Sequence, residues 1–442
     1  MAKITFMGAG STVFAKNVLG DCMMTEALHD SEIALYDIDK DRIEESLAML
    51  TAINNKYNGG KAKIETYCGV ENRKEALRGA DFVVDAIQVG GYDPCTIMDF
   101  EIPKKYGLRQ TIGDTLGIGG IFRGLRTIQV LKDFAKEMEE VCPDAWFLNY
   151  TNPMAILTGY MQRYTGVKTV GLCHSVQVCS DSLLKYTLDM KDVKVGRELI
   201  AGINHMAWLL EIYDDKGNDL YPEIRRRAAT KNNEKHWNMV RVDYINKLGY
   251  YVTESSEHNA EYNSFYIKPN YPELIEKFNI PLDEYPRRCI EQIDNWKKQK
   301  EEIMAGGNIE HKRSHEYASH IMESIVTNTP YRIGGNVINN GFITNLPSDA
   351  CVEVPCLVDG SGIRGCHVGK LPVQLAAMNM TNINVQLLTI EAAVTGKKEH
   401  IYHAAMLDPV TSANLSIDDT IKMCDELYDA HIKAGYPVLS LC

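Results

Sequence analysis

The chain has 442 residues, 45% of them hydrophobic, and its 47 basic and 59 acidic side chains leave a net charge of −12. That length suits two domains with sizeable cores, while an acidic balance without a basic stripe argues against nucleic acid or an anionic membrane surface as a partner. No apolar run nears the roughly 20 residues of a membrane helix, and twelve scattered cysteines without a CxxC pair read as the reduced thiols of a cytoplasmic enzyme.

In chain order, KITFMGAG is a short buried strand that ends in glycines; it is expected to lead straight into folded sequence and not to serve as a secretory signal. VFAKNVLGDCMMTEAL follows with helical spacing, then the strand EIALYDID and the long amphipathic helix KDRIEESLAMLTAINNKY. A third strand, KIETYCG, a short helix, RKEALRGA, and a nearly all-apolar fourth strand, DFVVDAIQVGG, complete the first 90 residues. The helix FRGLRTIQVLKDFAKEMEEVC leads to the strand AWFLNYTNP, and MAILTGYMQRY leads to KTVGLCHS. Six apolar strands alternating with helices imply right-handed crossovers and a doubly wound parallel sheet, an α/β fold of the Rossmann, lactate/malate dehydrogenase-like type. Composition changes after about residue 195. ELIAGINHMAWLLEIYDDKGNDLYPEI reads as hairpin material and polar helices follow, so a mixed α/β domain is expected over residues 196–442, behind a nucleotide domain over residues 1–195.

The first strand runs into Gly8, Gly10, Ser11 and Thr12, where glycines would let the backbone approach a pyrophosphate at a helix N-terminus. The full GxGxxG pattern is absent because Val13 holds its last position; the order strand, loop, helix supplies the support. Asp37 and Asp39, at the end of the second strand, suit adenosine ribose hydroxyls and favour NAD over NADP, although Lys40 and Arg42 stand close by.

The fifth strand ends near Asn149 and Asn152, and the sixth at Cys173 and His174, at the carboxyl edge where ligands bind in such sheets. Downstream, Asn204 and His205 close another apolar stretch. A thiolate and an imidazole are good ligands for a divalent transition metal. Spacing alone leaves the opposite reading open, in which Cys173 is core and His205 a hydrogen-bonded interior histidine.

GAGS, GGYDPC, GDTLGIGGIFRGLR, NYTNPMA, GLCHS, GINHMAW and ESSEHNAEY occur in this order, followed by TNINVQ at 381–386 and YHAAMLDP at 402–409. Together they resemble the NAD- and manganese-dependent glycosidases of glycoside hydrolase family four, nearly end to end, with the CHS triplet closest to the bacterial α-galactosidases. The resemblance implies hydrolysis without net oxidation, an exception to the two-carboxylate scheme. Hydride passes from sugar C3 to NAD, the C2 proton becomes acidic, the aglycone leaves C1, and water and hydride return. It implies Cys173 and His205 as ligands of Mn²⁺ or another divalent ion, and Tyr262 as the C2 base, which needs a nearby cation because a free phenol has a pKa near 10. His174 stands where phospho-sugar relatives carry an acidic general acid, and is read either as that acid or as a sugar-binding histidine. Asn152, Asn204 and Arg288 are substrate-side candidates, Arg288 otherwise being a surface charge. Asp114 is a catalytic-site candidate whose competing reading is a helix N-cap. A homo-oligomer, dimer or tetramer, is implied as well.

Within the family, 6-phospho-glucosidases and α-galacturonidases are the alternatives, since the side chains that meet C4 and C6 are not legible. Two rivals lie outside it. A lactate/malate-type dehydrogenase would need carboxylate-clamping arginines and a His–Asp proton shuttle, neither of which stands out. A nucleotide-sensing protein would leave the acid–base and metal candidates without purpose.

Overall fold

The computed structural model describes residues 1–304 and 309–439, with backbone only at Thr12 and 299–304. Six parallel strands form as expected: β1 (Lys3–Met7), β2 (Glu32–Asp37), β3 (Lys63–Cys68), β4 (Phe82–Asp85), β5 (Trp146–Asn149) and β6 (Lys168–Gly171), in the spatial order β3-β2-β1-β4-β5-β6. This is the doubly wound dinucleotide-binding order, with the connection reversing at β1/β4. Helices α1 (Thr12–Met23) and α2 (Lys40–Asn58) cover one face; α3 (Arg73–Leu77), α4 (Ile97–Lys105), α5 (Gly117–Val141) and α6 (Met154–Tyr164) are the other helices of this half.

The continuous apolar runs are explained by burial on both sides. Phe6, Leu35, Val84, Leu148 and Val170 enter the core shared with α1 and α2, whereas Met7, Tyr36, Val83 and Phe147 enter the core shared with α5 and α6. Helix α5 begins earlier than its apolar periodicity indicates, at Gly117. A Cβ at Gly119 would lie 2.3 Å from the Gly113 carbonyl oxygen and one at Gly120 2.6 Å from the Thr115 carbonyl carbon, so glycines let the helix start against the 113–115 loop.

The sheet does not stop at β6. Strands β7 (Val195–Ile203) and β8 (Met206–Asp214) form the expected antiparallel hairpin, joined by the two residues Asn204 and His205. With β9 (Tyr251–Val252), β10 (Tyr331–Ile338), β11 (Cys351–Asp359) and β12 (Gly362–Gly365), they extend the sheet to 12 strands, because β10 pairs with β6 through Asn336 and Gly171. The carboxyl end of β6 and the β7–β8 turn are thus carried by one rigid frame. Among the described residues no helix is long and apolar enough to cross a membrane.

Candidate active site

At the nucleotide end, Gly8 has φ of 86°, and a Cβ there would sit 2.7 Å from the Ala86 carbonyl oxygen, so only glycine fits the turn. The Gly10 N–H donates to Asp37 Oδ2 at 2.6 Å, and the Asp39 N–H donates to Asp37 Oδ1 at 3.0 Å. Asp39 caps α2 by accepting from the Arg42 N–H at 3.1 Å. Asp37 and Asp39 therefore already hold backbone groups, and Asp37 braces the glycine turn. Ser11 sits at the N-cap of α1 without a side-chain cap bond. A helix N-terminus that lacks a cap, reached through glycines at the carboxyl edge of parallel strands, fits the diphosphate of a dinucleotide. The side chain of Thr12 lies outside the described residues.

At the other end of the crevice, Cys173, His205 and Glu254 converge. The thiol sulfur, an imidazole nitrogen and a carboxylate oxygen all lie within 4.8 Å of one another. Cys173 follows β6 and His205 occupies the β7–β8 turn, so two strands of the shared sheet deliver them. His205 and Glu254 both have left-handed backbones, φ of 64° and 61°. Such conformations in non-glycine residues cost about 1–3 kcal/mol each and collect at functional sites. Glu254 opens the ESSEHNAEY stretch but was not among the sequence candidates.

The donor atoms of the three residues are close enough together to hold a cation. Burial pushes the Cys173 thiol up, and Glu353 and Glu254 push it further in the same direction. Glu254 is held near about 2: burial opposes its charge, but His258 and His205 outweigh it. A half-buried carboxylate beside a buried thiol and imidazole is a donor set that a divalent ion would complete, with sulfur, nitrogen and oxygen ligands suited to zinc- or manganese-like ions.

The remaining candidates surround this cluster. The Tyr262 hydroxyl lies 3.0 Å from His205 Nδ1. Burial, with Asp114, Glu261 and Glu254, raises Tyr262 well above the usual phenol range. Asp114 is not a helix cap, since Leu116 is the N-cap of α5. It accepts from Thr115 Oγ1 at 2.7 Å and Asn152 Nδ2 at 3.4 Å, and faces His258 Nε2 at 4.0 Å. His258, also missed from sequence, bridges to Glu254 at 3.5 Å and hydrogen-bonds Ser255 Oγ at 2.6 Å. Asn152 Oδ1 is buried with no partner among the described residues.

Asn204 is buried beside Glu353, whose carboxyl is pushed up to about 7 by burial against the pull of His205, Asn336 and Asn204. Arg288 is doubly paired, to Glu257 at 2.6 Å and Glu284 at 3.0 Å. His174, beside Cys173, has its Nε2 2.7 Å from Glu316 Oε2. Burial works against its charge, yet Glu316 and Glu254 raise its pKa above the ordinary imidazole value.

Distant segments hold the site in place. Asn382, in the TNINVQ stretch on helix Val373–Thr395, donates to the Tyr262 carbonyl at 3.0 Å, and Asn379 donates to that of Met206 at 2.8 Å. Asn259 donates to the carbonyls of His205, Thr253 and Ser255. Glu261 accepts the N–H groups of Thr111, at 2.7 Å, and Gly113, at 2.8 Å, and so fixes the loop that carries Asp114.

The doubly wound sheet meets a Cys–His–Glu cluster at its carboxyl edge, and the chain is a glycoside hydrolase belonging to family 4 of the glycosyl hydrolases: residues 3–189 match the model of the family and residues 200–411 that of its C-terminal domain. The chain is 63% identical to an α-galactosidase of Bacillus subtilis (strain 168) over 431 residues, covering 98% of each chain. It is 34% identical to an α-galactosidase of Rhizobium meliloti (strain 1021), across 98% of this chain and 88% of that one. Its fold is similar to that of a 6-phospho-α-glucosidase from gut microorganisms solved with NAD and Mn²⁺, with a TM-score of 0.79 and 21% identity over 99% of this chain and 100% of the other.

Proposed function

We propose that this glycoside hydrolase is an α-galactosidase acting on α-galactosides such as melibiose, with NAD and a divalent metal, Mn²⁺ or a similar ion, as resident cofactors. The observation that carries the metal and sugar chemistry is the convergence of Cys173, His205 and Glu254 within 4.8 Å beside Tyr262. The choice of galactoside rests on the 63% identity over nearly the whole chain to an α-galactosidase.

In this reading the glycine turn of Gly8 and Gly10, Ser11 and the start of α1 receive the diphosphate, with Asp37 and Asp39 on the adenosine side. Cys173, His205 and Glu254 hold the metal, a ligand set whose thiolate makes it sensitive to oxidation. When bound, NAD⁺ supplies a reversible hydride acceptor for C3 of the sugar and the metal supplies positive charge at the C2 and C3 oxygens. Tyr262 takes the C2 proton. Burial and the neighbouring carboxylates favour its protonated form, and a cation held by Cys173, His205 and Glu254 would offset that by favouring the phenolate. His174 donates a proton to the departing glycosidic oxygen, a role supported by its raised proton affinity. Asp114, Asn152 and Asn204 meet sugar hydroxyls; the unpartnered Asn152 Oδ1 supports this for Asn152. Arg288 lines the substrate side, and its pairing with Glu257 and Glu284 suits a neutral sugar better than an anionic one.

The division of labour falls at residue 195, with nucleotide binding before it and most sugar and metal contacts after it. We place the enzyme in the cytoplasm, as a homo-oligomer; no two of the described cysteines are bonded, which suits a reducing compartment. A panel of p-nitrophenyl glycosides, assayed with NAD, Mn²⁺ and a thiol reductant, tests the substrate. Cleavage of the α-galactoside should exceed that of the α-glucoside, the α-galacturonide and the 6-phosphorylated glucosides; a faster anionic substrate would refute the assignment.

A further inference from the structure

The turn that carries Cys173 and His174 is gripped by a segment 142 to 144 residues further along the chain. The Cys173 N–H donates to the Tyr317 hydroxyl at 2.7 Å, and that hydroxyl donates back to the Cys173 carbonyl at 3.1 Å. Next to it, Glu316 Oε2 meets His174 Nε2 at 2.7 Å. The two partners differ sharply in exposure: the Glu316 side chain is 7% accessible and that of His174 43%. The imidazole therefore has Nε2 tied to a buried carboxylate, while much of its side chain remains accessible.

Glu316 is itself anchored. Its N–H donates to Ser314 Oγ at 3.0 Å, and Ser314 donates to both oxygens of Asp21, with the hydroxyl at 2.6 Å and the N–H at 3.0 Å. Asp21, fully buried on α1, also faces His311 Nε2 at 2.8 Å. His311 fills the space over Gly20, where a Cβ would lie 2.7 Å from its Nε2. The carboxylate that holds His174 is thus built into the helix that follows the glycine turn. Phe14 and Tyr150 flank the His174 ring, with centroids 6.4 and 5.9 Å away, and limit its swing.

We propose that Glu316 is a positioning residue for glycoside cleavage: it fixes the His174 ring through Nε2 so that Nδ1 is the nitrogen presented to the leaving oxygen. The inference rests on His174 as the proton donor. The C1–O bond breaks with its electron pair on the aglycone oxygen, which takes the proton from Nδ1, while Nε2 keeps its proton against Glu316. When water adds at C1, its surplus proton returns to Nδ1. A carboxylate that orients an imidazole and fixes its tautomer is a recurrent arrangement in proton-transfer sites.

The test compares wild type with Glu316→Gln, nearly isosteric, on two galactosides in the presence of NAD and Mn²⁺. An alkyl α-galactoside needs a proton on its leaving oxygen; p-nitrophenyl α-galactoside does not. The variant should lose about 10- to 100-fold in kcat on the alkyl substrate and less than about 3-fold on the nitrophenyl one, with KM unchanged. Equal losses on both, or no loss on either, overturn the proposal. The ¹⁵N spectrum of the histidine rings gives a readout independent of activity. At a pH high enough to leave the ring neutral, the form it takes after giving up the Nδ1 proton, wild type should show His174 as the Nε2–H tautomer, and Glu316→Gln should show a mixture. An unchanged ring in the variant refutes positioning, even if the wild type proves inactive on galactosides, in which case the substrate assignment alone has failed.

Discussion

His205 faces Tyr262 across 3.0 Å through Nδ1, while its Nε2 stands 3.5 Å from Glu254 Oε2. One imidazole therefore touches both the proposed base and the proposed ligand carboxylate. If Nε2 binds the metal, Nδ1 keeps its proton and donates it to the Tyr262 oxygen, which favours the phenolate. The metal then acts on the base through a ring as well as through space.

Tyr262→Phe removes the proposed acceptor of the C2 proton. Exchange of the C2 hydrogen with deuterium oxide should cease, and kcat should fall by about 10²- to 10⁴-fold, the range for loss of a general base. Unchanged exchange would show that the base lies elsewhere.

Cys173→Ser removes the proposed sulfur ligand but leaves the glycine turn intact. Mn²⁺ affinity, followed by calorimetry, should drop by more than the roughly 10–100-fold typical of losing an outer-sphere partner, and metal-dependent activity should vanish. NAD binding, measured on the same preparation, should be unchanged.

Gly10→Ala tests the opposite end. A Cβ at residue 10 would lie 2.7 Å from Asp37 Oδ2 and 3.0 Å from Arg42 Cβ, so the turn must open. NAD affinity should weaken at least about tenfold, equal to about 1.4 kcal/mol, with Mn²⁺ affinity unaltered.

Much of this architecture was readable in the sequence because parallel strands buried on both faces leave unbroken apolar runs. Phe82–Asp85 and Trp146–Asn149 are legible this way, and the ends of the fifth and sixth strands mark the crevice. The extension of the sheet through Gly171 and Asn336 was not, since a single bridge between strands 165 residues apart leaves no local pattern. Cys173, His205 and Tyr262 were reached through motif resemblance, not spacing. Glu254, His258 and Glu316 were missed: two lie inside a stretch already quoted, but only the folded chain brings them against Cys173, Asp114 and His174. The one usable signal was the density of acidic and imidazole groups between Glu254 and Tyr262.

Burial pushes the Glu261 carboxyl up to about 7, against the pull of the Gly113 and Thr111 N–H groups. Below the ordinary carboxyl range near 4.5 both folded and unfolded chains hold this proton. Between there and 7 only the folded chain keeps it, so the contribution of Glu261 to stability declines as pH rises through that window. The melting temperature of the metal-free protein should therefore carry a contribution from Glu261 that declines from pH 5 to 7. In Glu261→Gln the decline should be shallower, while the melting temperature itself drops because a side-chain N–H₂ replaces an acceptor for a buried N–H. Equal slopes in the two proteins would contradict this.

In the proposed reaction the dinucleotide and the metal serve the same sugar ring. Protein freed of nucleotide and stripped of metal by a chelator, then assayed for p-nitrophenyl α-galactoside cleavage with NAD and Mn²⁺ restored singly and together, tests this most directly. Cleavage should appear only when both are present and should leave no net NADH. Undiminished cleavage by the stripped protein would contradict the account.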